Sequence, residues 1–299
     1  MKNDKKDRKQ SGKPHQGRSR REFVAVSAAG LVAASGSASA ASLMVVEENV
    51  EIKTPDGTCD AAFIHPATGS HPGVLIWTDA FGLRPAFREM AKRLAAEGYS
   101  VLVPNPFYRV AKAPVFGDVA SFNFQNPDDR AKLGPLMGSV NAPGAAEKDA
   151  VAYIAFLDAQ KPVNKSKKIG TQGYCMGGPL IVKTAAAVSG RVGAAASFHG
   201  GGLVTDKPDS PHLLAPKIKA RMYFGVASND DKQQPDAKDK LREAFAAAKV
   251  PAEIEVYPAS LHGWCVSDMP LQNGNPIYNK PDAERAWGKL LALYKTALA

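Results

Sequence analysis

From residue 45 onward, short runs rich in aliphatic and β-branched residues alternate with longer stretches whose apolar positions recur every three or four residues. That alternation predicts an α/β fold: a mostly parallel central sheet with helices on both faces. Val45 to Lys53 and Asp60 to His65 read as a first hairpin around Pro55-Asp56-Gly57. Gly73 to Trp77 is a short, unbroken apolar run of the kind buried in a central parallel strand. Phe87, Met90, Ala91 and Leu94 fall at helical spacing between Pro85 and Glu97, and Gly98 closes the stretch. Tyr99 to Val103 predicts the next strand, and Gly144 to Ala159 a helix whose apolar face carries Val151, Ile154, Ala155 and Leu157.

Downstream, strands are expected at Lys168 to Gln172, Val192 to Phe198, Ala220 to Val226 and Glu253 to Tyr257. Helices are expected at Gly177 to Val188, Asp236 to Lys249 and Asp282 to Leu298. Residues 104–143 fit neither period. They hold six prolines among aromatic and asparagine residues, which predicts a long functional loop or lid.

The N-terminus changes how the charge is read. Ser19-Arg20-Arg21-Glu22-Phe23-Val24 precedes an alanine-rich, weakly apolar run and Ala38-Ser39-Ala40, the order of parts in a twin-arginine export signal cleaved after Ala40. Residues 1–40 hold nine basic and three acidic side chains, +6 of the chain's +9. The remaining +3 over residues 41–299 speaks of solubility and calls for no nucleic-acid partner. A single domain is expected there, without a membrane span, in a bacterial periplasmic protein that meets the export machinery through its signal. Cys59, Cys175 and Cys265 are too few and scattered for a disulfide framework or a zinc site, and no metal or cofactor is expected. A bridge between Cys59 and Cys265 is left open.

Gly173-Tyr174-Cys175-Met176-Gly177-Gly178 follows a predicted strand and opens a predicted helix. This is a nucleophile elbow with cysteine at its apex: glycines permit the tight turn, and the helix N-terminus favours both a thiolate and a developing oxyanion. Such a nucleophile needs an acid and then a histidine after later strands. His262 lies in the loop after the last strand, and Asp230 or Asp231 follows the strand before it; Asp230 is favoured. His199, at the end of the strand after the elbow helix, is a further candidate for touching substrate.

These residues resemble the dienelactone hydrolase family, the carboxymethylenebutenolidases of the α/β-hydrolase fold. The resemblance rests on Gly-x-Cys-x-Gly around Cys175, on Asp230, on His262-Gly-aromatic, and on Thr78-Asp79-Ala80-Phe81-Gly82. It implies a Cys-His-Asp triad that opens a lactone or small ester through an acyl-enzyme, with an oxyanion hole formed by the Ala80 and Met176 N–H groups. It also implies that Asp79 stands where relatives carry a glutamate that interacts with the resting cysteine, a role its shorter side chain puts in question. Tyr108 and Arg109 fall where substrate contacts are expected, and a guanidinium there would suit a carboxylate. The competing expectations are a thiol redox or peroxide-sensing protein using Cys175, with Cys265 as resolving thiol, and a binding protein that keeps the fold without chemistry.

Overall fold

A computed structural model describes residues 43–299; the expected export signal and its cleavage lie outside the described residues. The chain opens with an antiparallel hairpin, β1 (Val45–Thr54) and β2 (Gly57–Pro66), whose register runs from Val45 opposite Pro66 to Thr54 opposite Gly57. Pro55 and Asp56 are the two turn residues, and Gly57 takes φ +144°, a conformation side chains disfavour.

Next come β3 (Gly73–Trp77), α1 (Pro85–Ala96) and β4 (Ser100–Pro104). The interval 104–143, expected as a long loop or lid, contains α2 (Pro127–Asn141), capped by the Asn126 side chain on the Asp128 N–H. α3 (Ala145–Ala159) follows, then β5 (Ile169–Tyr174), α4 (Gly177–Ala187) and β6 (Val192–Phe198). After a 3-10 segment (Pro211–Lys217), β7 (Arg221–Ala227) leads directly into α5 (Ser228–Gln233). α6 (Ala237–Ala247), β8 (Ala252–Tyr257) and α7 (Lys280–Ala297) complete the order.

The eight strands form one sheet in the order β1-β2-β4-β3-β5-β6-β7-β8, parallel from β4 through β8 and antiparallel where β2 meets β1 and β4. Because side chains alternate across a strand, β3 sends Leu75 and Trp77 to one face and Val74 and Ile76 to the other. On the first face these residues join Tyr153 and Ile154 of α3, Leu180 and Ile181 of α4, and Phe245 of α6. On the second they join Phe87, Ala91 and Leu94 of α1 and Leu290 and Tyr294 of α7. Both faces of the sheet are therefore dry, which is why its strands read as continuous apolar runs.

The expected phase of α3 needs correction. Val151 is 53% exposed and Ala155 faces solvent; the buried stripe is Ala146, Ala150, Tyr153, Ile154 and Leu157. Asp149 shares that buried side, a carboxylate among apolar neighbours that an amphipathic pattern hides. Cys59 packs on the first face of the sheet and Cys265 on the second, so the sheet separates them and the bridge left open does not form; all three thiols are free. Burial pushes the Cys59 thiol up to about 12.

The chain turns from β3 out to β4 on one side, while β5 and the later strands lie on the other. At such a switch point the loops after two neighbouring strands diverge and leave a crevice at the carboxyl edge. Residues Thr78 to Ala80 and Cys175 emerge on its two sides, since Trp77 pairs with Gly173 in register.

Candidate active site

Cys175 sits at φ +52°, a left-handed conformation that a non-glycine residue holds only where its surroundings enforce it. Here they do. A Cβ on Gly173 would lie 2.1 Å from the Gly177 carbonyl oxygen, and one on Gly177 would lie 2.5 Å from that of Trp77. A Cβ on Gly178 would come within 2.4 Å of Gly200 Cα. The glycines thus let β5, α4 and the ends of β3 and β6 close around one turn, and the cysteine is held at its tip.

The Cys175 N–H donates to the Phe198 carbonyl at 3.1 Å and to His199 Nδ1 at 3.1 Å. Since Nδ1 accepts, the proton of a neutral His199 ring must sit on Nε2. His199 is fully buried; burial first, and the neighbouring His262 second, hold its pKa well below the usual histidine range. Its Nε2 has no hydrogen-bond partner among the described residues, and the ring meets His262 and Trp264 edge-on, with centroids 4.9 and 5.2 Å away. The expectation that His199 touches substrate is therefore revised: it lies under the elbow and braces the backbone of Cys175.

His262 is fixed from two sides by α5. Its N–H donates to Asn229 Oδ1 at 2.8 Å, and its Nδ1 lies 2.8 Å from Asp230 Oδ2. The Ser228 N–H and hydroxyl both donate to the Ser260 carbonyl, tying the two segments further. Asp231 points elsewhere, to Lys238 Nζ at 2.8 Å. Burial alone would lower the His262 pKa; the hydrogen bond it donates to the Asp230 carboxylate, and the influence of the Cys175 sulfur, more than offset it and raise it to about 10.

That raised value has a consequence for stability. A group protonated more tightly when folded contributes stability that is full below its unfolded pKa of about 6.5 and is lost as pH climbs toward about 10. Denaturant midpoints of the wild type should therefore fall between pH 6.5 and pH 10.5 more steeply than those of His262→Gln. Equal slopes for the two proteins would show that the imidazolium is not stabilised by the fold.

Asp79 is not directed at the cysteine. It accepts from Arg84 through both oxygens, at 2.6 and 2.9 Å, and its Oδ1 also takes the Phe81 N–H at 2.9 Å. Arg84 is 4% exposed and donates equally to Asp268, at 2.8 Å through each of Nε and Nη2. One guanidinium thus joins the loop after β3 to the loop that follows His262. Sequence reasoning missed Arg84 and Asp268 because an arginine before a helix and an aspartate in a loop are each unremarkable alone. The Ala80 N–H and Met176 N–H have no hydrogen-bond partner among the described residues and remain available to a ligand.

Tyr108 and Arg109 are also placed otherwise than expected. The Arg109 guanidinium makes two bonds to Asp149, at 2.8 and 2.7 Å, and two to Asp56 of the hairpin turn. Tyr108 hydroxyl lies 2.8 Å from both Thr54 Oγ1 and Asp149 Oδ1. The pair pins the β1–β2 turn to α3 and neutralises the buried carboxylate; a substrate would have to compete with two aspartates for the guanidinium.

A cavity of about 500 Å³ opens at His262. Its walls come from residues 120–125, after β4, and 269–277, before α7, together with Asn229. Phe122 and Phe124 on the first segment stack edge-on at 4.8 Å, and Phe81, next to Ala80, meets them at 5.0 and 5.9 Å. The segment 104–143 therefore contributes to the site through its aromatic residues. Among the described residues, no group of His, Cys, Asp and Glu is placed to hold a metal ion.

The dienelactone hydrolase family model matches residues 59–298. A putative carboxymethylenebutenolidase of Synechocystis sp. is 26% identical over 235 residues, 78% of this chain and 89% of that protein. The carboxymethylenebutenolidase of Rhodococcus opacus is 28% identical over 216 residues, 71% of this chain and 78% of the relative. Among solved structures, that of a putative dienelactone hydrolase from Klebsiella pneumoniae superposes with a TM-score of 0.69, covering 84% of this chain and 99% of its own, at 21% identity.

Proposed function

The chain belongs to the dienelactone hydrolase family, and from that premise we propose that it opens lactones or cleaves small esters by a Cys175-His262-Asp230 triad through an acyl-enzyme. The observation that carries the reading is one geometry: a cysteine on a strained turn at a helix N-terminus, its N–H on His199, whose ring meets at 4.9 Å an imidazole whose Nδ1 lies 2.8 Å from the Asp230 carboxylate.

With its pKa raised to about 10, His262 keeps its proton at neutral pH, the state that complements a thiolate. The sulfur forms a bond to the carbonyl carbon, and the carbonyl electron pair moves onto oxygen. The Ala80 and Met176 N–H groups, with the positive end of α4, hold that oxyanion. Its collapse breaks the ester C–O bond, and the leaving oxygen takes the His262 proton. Water then attacks the thioester carbon, giving its proton to His262, and the thiolate leaves with the carboxylic acid product. Asp230 keeps Nδ1–H oriented throughout. The reading places the protein in the bacterial periplasm, exported through residues 1–40.

Intact-mass measurement tests both parts. Protein recovered from a periplasmic fraction should have the mass of residues 41–299, and brief treatment with a slowly hydrolysed ester should add one acyl group, mapped to Cys175. A full-length mass would refute the export reading; absence of any acyl adduct at Cys175 during turnover would refute the covalent mechanism.

A further inference from the structure

We infer that this site takes uncharged esters or lactones bearing an aromatic or similarly flat apolar group, and discriminates against substrates that carry a carboxylate. The inference rests on the hydrolase reading above and adds the chemical class that the site admits.

The cavity at His262 has no lysine, arginine, aspartate or glutamate on its wall, and His262 is the single titratable side chain there. Its apolar surface is built from Phe122, Phe124, Leu271 and Ile277. Phe124 is 43% and Leu271 58% exposed, so the mouth presents large apolar groups to whatever enters. The edge-on phenyl stack from Phe81 through Phe122 to Phe124 runs from the residue beside the Ala80 amide outward to the rim. A planar ring entering there finds ring faces and edges at the spacing such pairs favour. Asn123, Gln125 and Gln272 add amide groups that can hydrogen-bond an ester oxygen but cannot neutralise an anion.

Two arginines of the neighbouring segments, Arg84 and Arg109, are committed to carboxylates. Arg84 is shared by Asp79 and Asp268, a cluster that sums to one negative charge beside Phe81. Arg109 is bound by Asp149 and Asp56. A carboxylate entering the cavity would shed water and find on its wall one cation, the His262 imidazolium already bonded to Asp230, and would face that excess of acid.

The test compares phenyl acetate with 4-carboxyphenyl acetate, each rate corrected for hydroxide-catalysed hydrolysis. It adds protection of Cys175 from iodoacetamide by the corresponding amides, acetanilide and 4-acetamidobenzoate. The neutral ester should be favoured in kcat/KM by about tenfold or more, acetanilide should protect better than 4-acetamidobenzoate, and Leu271→Lys should narrow both differences. Parity, or a preference for the carboxylated compounds, overturns the inference. If neither ester is turned over while acetanilide still shields Cys175 selectively, the hydrolase reading fails and the cavity's preference stands. If neither amide protects, the preference itself is refuted.

Discussion

Replacing Cys175 with alanine should lower turnover of a favoured ester by about five orders of magnitude, with the circular-dichroism spectrum and thermal midpoint near those of the wild type. The magnitude follows from what remains. On the proposed mechanism the Ala80 and Met176 N–H groups and the cavity still bind the ester, but no atom forms the bond that splits the reaction into two easier steps. Asp230→Asn should cost about 10⁴-fold by another route. An asparagine amide can donate to Nδ1, which drives the imidazole proton onto Nε2 and offers the cysteine the wrong face of the tautomer pair. Asp231→Asn should leave the rate within a few fold, because Asp231 engages Lys238 and not the imidazole. Steady-state kinetics on the three variants separates the adjacent acids. A Cys175→Ala enzyme that keeps even a few per cent of its activity would remove the thiol from the mechanism.

The second large effect is expected at Arg84. Arg84→Leu leaves Asp79, almost wholly buried, without its counter-charge, and Asp268 without its bidentate partner. Removing one member of a buried ion pair costs about 3–5 kcal/mol, which for a domain of this size corresponds to a fall in Tm of about 10 °C. Asp79→Asn in the same chain should recover much of that loss, since it removes the stranded charge instead of restoring the pair. Because Arg84 ties the Ala80 loop to the segment after His262, kcat should fall along with stability. Thermal melts of the single and double variants are decisive: an Arg84→Leu protein melting within about 2 °C of wild type would show that the cluster is solvated and weak.

The sheet was readable because its inner strands are buried on both faces, leaving β3 and β4 as apolar runs with little interruption. That Cys175 stands on a tight turn after a strand was readable for a steric reason, the three glycines around it having no room for a Cβ. α2 was not readable. Pro135 stands inside it and Gly134 and Gly138 flank that proline, so neither propensity nor periodicity announces a helix that only packing at Leu136 and Val140 holds. Arg109 illustrates the limit for charged residues. Sequence shows an arginine beside a tyrosine in a suggestive place; only the fold brings Asp149 and Asp56 to it from remote segments. His199 is a related case, since its position at a strand end is visible but its burial beneath Cys175 is a matter of three dimensions.

The cavity walls and the proposed reacting groups belong to different parts of the chain. Cys175, His262 and Asp230 stand just beyond β5, β8 and β7, while residues 120–125 and 269–277 lie outside the sheet and meet at a small cluster of their own around Phe81, Phe122 and Met269. Chemistry and selectivity are therefore separable inheritances. Substitutions that reshape the entrance need not disturb the elbow, and descent with modification can retune what this scaffold accepts while leaving untouched how it breaks the bond.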